Sequence, residues 1–472
     1  MFWKTKRYLV AVLALFGFFN VYALRANLSI AIVDMTQLKN VTLENGTIVL
    51  KREFDWDSKL QGYILSSFFY GYLTTQFLGG YLAVKFGGTN IFAIGIGVTA
   101  LLTVFTPLLV KANVYLLLVV RIVEGIFEGV TVPAIQAVWA LWSPPLERSR
   151  LVTISYSGCW VGTVVAMPVC SLLASSLGWE SIFYVFGAVG LLWCAIWTTF
   201  VSDTPVKDKS ISSKEREYIL SSIKASNGDI EEIHKIPWWS FLMSRPLWTI
   251  AVAFFCETWG FYTLLTYLPK IMKNVLGFDL NSAGFMSALP YLAMAIIMQL
   301  AGQLADRLLI KKVLTTTQVR KLLTCVGFLS QAIFILGAGF WLTTAGTTFC
   351  LVMVVGLGGF SLTGFGVNAL DIAPKYASII IGISNTFGTV PGILSPILTG
   401  YLVTHEDNID EWLIIFYISA ALYIFGAIFY GLNASGELQP WAMNENKDIK
   451  NSVQLSYAKE ENEKDMEAEI KH

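Results

Sequence analysis

The stretch that decides how this chain is read is RIVEGIFEGVTVPAIQAVWALWSPPLERSR, residues 121–150. Its first half is apolar yet carries Arg121, Glu124 and Glu128. Its second half ends in Pro144, Pro145 and the charged turn Glu147-Arg148-Ser149-Arg150. On a helix the three charges fall within about 60° of one another and share a face. Inside a bilayer each would cost roughly 2.5–3.5 kcal/mol by insertion scales unless it met a partner or a wet cavity. Residues kept at that cost are functional candidates, provided that the segment crosses a membrane.

Composition says that it does. The 472 residues are 55% hydrophobic and 14% charged, with a mean hydropathy of +0.60, whereas soluble domains are about 25% charged. Zero net charge and a pI near 6.8 give no sign of a nucleic-acid surface. The cysteines (159, 170, 194, 256, 325 and 350) lie in or beside apolar runs without CxxC or metal spacing, and read as packing residues. His234, His405 and His472 sit in polar stretches, which argues against a histidine relay or a metal site, and no cofactor is expected. The basic segment Met1–Arg7 precedes an apolar run too long for a cleaved signal peptide, so that run reads as the first retained span.

About twelve stretches have the roughly 20 apolar residues that a spanning helix needs: 8–33, 60–83, 90–110, 114–140, 151–175, 181–201, 247–269, 282–304, 321–342, 347–369, 376–403 and 412–433. The chain is therefore expected to be an all-α membrane protein, with a short N-terminus (1–7), a six-helix half (8–201), a central loop (202–246), a second six-helix half (247–433) and a disordered tail (434–472). A short repeat supports two pseudo-symmetric halves: Gly80-Tyr-Leu-Ala-Val-Lys closes span 2 and Gly302-Gln-Leu-Ala-Asp-Arg closes span 8. Lys85, Arg148, Arg150, the Arg307–Lys321 cluster and Lys375 place both termini and the central loop in the cytosol. The opposite loop, 34–59, carries the glycosylation sequons of Asn40 and Asn45. In the central loop, Ser212 and Glu215 read as a capping box opening a short helix from Glu215 to Lys224.

Other polar residues inside the spans complete the candidate site. Arg25 offers a planar fork for an anion, and contact with substrate competes evenly with a structural ion pair. With one arginine for two acids on span 4, one carboxylate is left to exchange a proton; the competing reading is a static network. Glu257 on span 7 could pair with Arg25 or bind a cation, a charge facing the cavity. Asp306 and Arg307 end span 8, where a cytoplasmic gate is expected, and Asp371 sits at a similar edge. Span 11, Gly382-Ile-Ser-Asn-Thr-Phe-Gly-Thr-Val-Pro-Gly392, has the Gly and Pro content of a broken or kinked helix; that would free Ser384 and Asn385 for hydrogen bonding, and close packing explains its glycines equally well. Tyr70 and Tyr72 on span 2 are packing aromatics of which one could point inward.

At these positions the chain resembles the anion–cation symporter family of the major facilitator superfamily, which includes the sialins, the vesicular glutamate transporters and the type I sodium–phosphate cotransporters. The matching text is Tyr22-Ala-Leu-Arg-Ala-Asn-Leu-Ser29, the Arg121…Glu124…Glu128 block, Pro144-Pro-Leu-Glu-Arg-Ser149, Phe261-Tyr-Thr-Leu-Leu265, Asn368-Ala-Leu-Asp-Ile-Ala-Pro374 and Asn385-Thr386. Val201-Ser-Asp-Thr-Pro205 and Tyr218-Ile-Leu-Ser-Ser222 bring it nearest to the sialin branch. The resemblance implies a major facilitator fold, Arg25 and Arg121 at an anion site with Tyr70 and Asn385 as cavity contacts, and Glu124 and Glu128 as the proton-coupling pair. Three positions depart from the pattern: Gln136 where a histidine is usual, Glu257 where the glutamate carriers have an arginine, and Val84 where an acid is usual. The N-terminus also lacks an acidic dileucine signal for lysosomes.

The function expected is secondary active transport of a small organic anion with protons by alternating access, in the plasma membrane or a lysosomal or vesicular membrane, by a monomer surrounded by lipid. Sodium-driven phosphate cotransport is the alternative, and a non-transporting receptor is remote. No nucleophile–base pair or metal set points to an enzyme.

Overall fold

A computed structural model describes residues 5–42, 48–144, 147–227, 238–341, 343–373 and 376–442. The first half is built from α1 (Lys6–Thr36), α2 (Ser58–Phe86), α3 (Gly88–Ala112), α4 (Val114–Gly129), α5 (Thr131–Trp142), α6 (Arg148–Leu177) and α7 (Glu180–Phe200). The connecting segment holds α8 (Ser213–Asn227) and α9 (Trp238–Leu242). The second half follows as α10 (Arg245–Lys270), α11 (Leu280–Ile310), α12 (Thr316–Phe340), α13 (Thr344–Ile372), α14 (Ala377–Leu402) and α15 (Ile409–Asn433). Helix starts are set by short polar side chains: Asp57, Asn113, Asp279, Thr315, Thr343 and Asn408 each accept from a backbone N–H of the first turn.

Among the described residues ten helices are long and apolar enough to cross a membrane. Two further spans come from α2 and from α4 with α5, which together replace the continuous fourth span expected from sequence. The break falls at Val130 (φ −82°, ψ −11°), three residues before Pro133. Proline has no N–H to return to the carbonyl of Gly129 and its ring crowds that turn. The expected break in span 11 does not occur. There α14 runs unbroken through Pro391 and Pro396, and two of its glycines serve packing: Gly392 lies against the Phe69 ring and Gly400 against the Ser58 backbone.

Both halves use one packing scheme. In the first, α1 packs on α6, α2 on α4 and α3 on α7; in the second, α10 packs on α14, α11 on α13 and α12 on α15. The halves meet through α2 with α14 and α6 with α11, related by the same pseudo-two-fold. The repeat at Gly80 and Gly302 occupies the ends of the equivalent helices α2 and α11.

One end of the bundle, here the hairpin face, carries β1 (Leu38–Thr42) and β2 (Ile48–Arg52), an antiparallel pair with Lys39 opposite Lys51. The adjoining Phe54 stacks edge-on to Trp179, whose indole N–H donates to Glu53 at 2.9 Å. Asn40 lies in β1, whereas Asn45 lies outside the described residues. On this face the halves are sealed. Glu406, after α14, accepts from Lys270 (2.7 Å) and Asn274 (3.0 Å) of its own half and from Ser58 and Gln61 (both 3.3 Å) of the other. Toward the opposite, terminal face, a Cβ added to Gly80, Gly302 or Gly382 would meet no atom within 4 Å.

The terminal face of the first half is held by a charge cluster. The carboxylate of Glu215 accepts from the backbone N–H groups of Lys6 (2.9 Å) and Arg7 (3.1 Å), capping α1 at the positive end of its dipole. The sequence assigned Glu215 to a capping box with Ser212. Ser212 does accept from the Glu215 N–H at 3.3 Å, but the acid side chain serves α1 instead. Arg7 also donates to Glu215 (2.9 Å) and to Glu147 (2.9 Å) in the turn before α6. In the second half Arg320 donates to Asp371 at 2.7 Å. The nine residues after α15 are not the free tail expected: the N–H of Gln439 donates to Ile372 and that of Gly436 to Thr317. The rest of the tail expected to be disordered, from 443 on, lies outside the described residues.

Two outcomes follow. The hydrogen bond from Arg7 holds the Glu147 carboxyl below its ordinary range, so its contribution to stability is complete above about pH 4.3 and is lost as pH falls through the folded-state value. Thermal denaturation of detergent-solubilised protein should show Arg7→Ala destabilised at neutral pH by about 1–3 kcal/mol, between the exposed and buried ion-pair limits. The deficit should shrink on acidification; a deficit independent of pH would count against the linkage. On the hairpin face, Glu406→Ala removes the acceptor shared by both halves. Spin labels placed across α2 and α14 should then report a larger share of separated distances than in wild type.

Candidate functional site

The site forms where α2 and α4 approach closely and Arg25 of α1 reaches across to them. Gly71 of α2 lies against the Ile122 carbonyl of α4, and Gly125 of α4 lies against the Phe68 carbonyl of α2, so closely that any side chain at either would collide with backbone. That contact carries the charged face of α4 to Arg25 of α1. Arg25 is 7% exposed, and Arg121, Glu124 and Glu128 are 4%, 1% and 1% exposed.

The four charges make two ion pairs. Arg25 donates from Nε (3.0 Å) and Nη2 to the same oxygen, Oε1 of Glu128. Arg121 donates from Nη1 to Oε2 of Glu124 at 2.8 Å, and the Thr103 hydroxyl of α3 donates to Oε1 at 2.9 Å. Glu124 therefore has both oxygens engaged. Glu128 has a second oxygen, Oε2, that is buried with no hydrogen-bond partner, and Arg121 has an unpartnered Nε. Unsatisfied polar atoms at such depth are costly.

Aromatic rings surround the cations. The Arg25 guanidinium lies 4.9 Å from the Tyr22 ring, 5.1 Å from Phe68 and 4.8 Å from Tyr72, and Arg121 lies 5.1 Å from the same Phe68 ring. Such contacts favour a cation over an apolar wall. A small cavity between the halves is lined by Arg25, Arg121, Ser29 and Phe69 from one side and by Leu265 and Thr266 of α10 from the other. Both arginines thus face one space bounded by the two halves.

Not every expected residue reaches it. Tyr70 is 39% exposed and is not among the residues that line this cavity. Two residues along a helix turn the side chain by about 200°, so Tyr72 points at Arg25 and Tyr70 away from it. Asn385 does not line this cavity either; its amide donates to Gln76 of α2 at 3.3 Å, and Gln76 donates to Thr389 at 3.1 Å, bridging the halves. Ser384 is buried with an unpartnered hydroxyl. Glu257 pairs with no arginine, but bonds to Ser361 and Gln331. Asp306 and Arg307 are exposed and make no ion pair among the described residues. Gln136, in place of the usual histidine, donates to Tyr156 at 2.9 Å. Among the described residues no group of three His, Cys, Asp or Glu side chains is placed to hold a metal.

Sequence reading did not find Thr103, the Tyr22–Phe68–Tyr72 cage or the Lys270–Glu406–Gln61 cluster. A partial signal existed: Tyr22 and Arg25 are three apart, and Phe68 and Tyr72 four apart, so each pair shares a helix face. Nothing in the sequence said which faces meet.

Comparison with known proteins agrees with this architecture. The chain matches the Major Facilitator Superfamily over residues 10–396. It is 45% identical to sialin of Homo sapiens over 460 residues, covering 93% of this chain and 91% of that one. It is 41% identical to vesicular glutamate transporter 3 of Danio rerio over 93% of this chain and 75% of that one. Among solved structures, an inward-facing, occupied bacterial homologue of the human lysosomal transporter Spinster superposes with a TM-score of 0.69 at 14% identity, covering 90% and 96% of the chains. A D-xylose–proton symporter does so with a TM-score of 0.64 at 16% identity, covering 92% and 99%. Sequence relatives and fold are those of transporters and not of enzymes, and the chain is a multi-pass membrane protein belonging to the Major Facilitator Superfamily, next to the sialins and vesicular glutamate transporters.

Proposed function

We propose that this protein carries a small organic anion, an acidic sugar or amino acid of the kind that the names of its relatives suggest, together with a proton. The observation that carries the reading is the pair of arginines facing one space between the halves, with Arg25 tied to a single carboxylate oxygen of Glu128 and Arg121 left with an unpartnered Nε.

The coupling follows from exchange of partners. Glu128 and an incoming carboxylate compete for the planar fork of Arg25. Protonation of Glu128 releases the fork to the substrate, while loss of that proton re-forms the ion pair and expels the anion. Proton and anion enter together, so the net charge in the membrane interior does not change, which avoids the cost of an uncompensated charge there. Glu124, engaged by Arg121 and Thr103, positions Arg121. The sealed hairpin face and the open space at Gly80, Gly302 and Gly382 fit a state open toward the cytosol, if the termini lie there as the loop charges suggest. Asp306 and Arg307, unpaired in this state, would close that side in the opposite one. Asn385 and Gln76, at the contact of α2 with α14, would part or re-pair as the halves rock.

In proteoliposomes, wild type should accumulate a labelled sugar acid or acidic amino acid under an imposed proton gradient, with sodium replaced by choline. Dependence on sodium instead would sink the proton assignment. Glu128→Gln should still bind the anion but lose both the pH dependence of binding and gradient-driven accumulation. Accumulation at the wild-type level would show that Glu128 is not the exchanging acid. Arg25→Lys keeps the charge but not the fork; binding should weaken about tenfold or more, since a hydrogen bond to a charged group is worth about 1.5–3 kcal/mol.

A further inference from the structure

A third buried acid takes no part in the exchange just described. Glu257 of α10 is 3% exposed, inside the second half. Its Oε2 accepts from the Ser361 hydroxyl of α13, and its Oε1 accepts from the Gln331 amide of α12 at 3.2 Å. The Ser361 hydroxyl also lies 2.9 Å from the Gly358 carbonyl and 3.5 Å from the Gln331 amide oxygen. Gly358 leaves the room: a side chain there would collide with the Glu257 carboxylate.

The surroundings are neutral on every side. The titratable groups facing Glu257 are Cys256 on its own helix and Tyr423 on α15. From α12 and α13 it meets Gln331, Ser361 and Gly358. Among the described residues no charged group acts on it from α1, α11 or α14. Glu124 and Glu128 each have an arginine; Glu257 has none. An unpaired carboxylate at this depth is expensive, and a proton is the smallest partner that removes the charge.

The two neighbours are suited to both protonation states. As a carboxylate, Glu257 accepts from Ser361 and Gln331. As an acid, it can donate to the Ser361 oxygen while that hydroxyl turns to the Gly358 carbonyl already within reach. It can equally donate to the Gln331 oxygen, because hydroxyl and carboxamide each carry donor and acceptor. No atom need leave its place.

We propose that Glu257, Gln331 and Ser361 form a second proton-binding site, built within the C-terminal half and separate from the arginine-linked acids. The inference does not depend on the identity of the anion or on the role of Glu128.

The test uses the purified full-length chain without substrate. A pH jump between about pH 5 and pH 8 is followed by a dye that counts released protons and by infrared difference spectra of the carboxylic-acid carbonyl band. Glu257→Gln should release one proton fewer per chain than wild type and lack one carbonyl component. Glu128→Gln, run in parallel, should lose a different component, which separates failure of this inference from failure of the coupling scheme. Ser361→Ala and Gln331→Leu keep the acid but remove one neighbour, and should move the midpoint of the Glu257 component; they serve if Glu257→Gln does not fold. An unchanged proton count and spectrum in Glu257→Gln would overturn the proposal. So would a wild-type component that vanishes only when sodium is present, since the ligand would then be a metal cation.

Discussion

The ion pair between Arg25 and Glu128 is the interaction on which the first half depends. The partners are 103 positions apart in sequence, and neither is tolerable alone in a bilayer. Their pairing requires α1 and α4 at one depth, with α4 turned so that its charged face is inward. The close approach of α2 and α4 through Gly71 and Gly125 supplies that orientation and brings Phe68 and Tyr72 over the guanidinium. Geometry and charge balance are one constraint here.

The second half meets the same cost differently. It buries Glu257 among neutral hydrogen-bonding groups, and it keeps its cations at the ends of helices. Lys270 reaches Glu406 and Gln61 on the hairpin face, and Arg320 reaches Asp371 on the terminal face. Pseudo-symmetry thus governs which helices touch, while the chemistry inside each half is its own. A space between the halves, with arginines on one side and Leu265 and Thr266 on the other, suits a ligand whose charge is read by one half and whose remaining surface is read by the other.

Much of this was legible in the chain itself. Twelve spans, the two halves and the shared face of Arg121, Glu124 and Glu128 come from hydropathy and from a period of about 3.6 residues. Interior charges announced themselves because composition makes them rare. What could not be read was pairing across distance. Arg25 could have met Glu257 as well as Glu128, and only the rotation of the helices, with the charged face of α4 turned toward Arg25 by its contact with α2, decides between them. Tyr70 and Tyr72 were indistinguishable until the rotation of α2 was known. Pro133 and Pro391 both sit in apolar spans, yet one breaks its helix and the other does not. Local sequence records the missing N–H in both, but not whether neighbouring helices hold the turn.

The state captured here also bears on how one site can serve two sides. The hairpin face is locked through Glu406, which joins both halves. Opening it means giving up the bonds from Ser58 and Gln61 to Glu406 while Lys270 and Asn274 keep theirs. The carboxylate is therefore never left without a cation as the halves part, but parting also breaks the bonds from Lys270 to Gln61 and from Lys273 to Gln37 and the Tyr63–Tyr401 hydroxyl pair, each worth about 0.5–3 kcal/mol. The binding energy of an anion whose two ends contact different halves can offset part of that cost. Locking bonds that are individually weak, around a charge that stays paired throughout, are what allow the two faces to open in turn without exposing a bare charge to lipid.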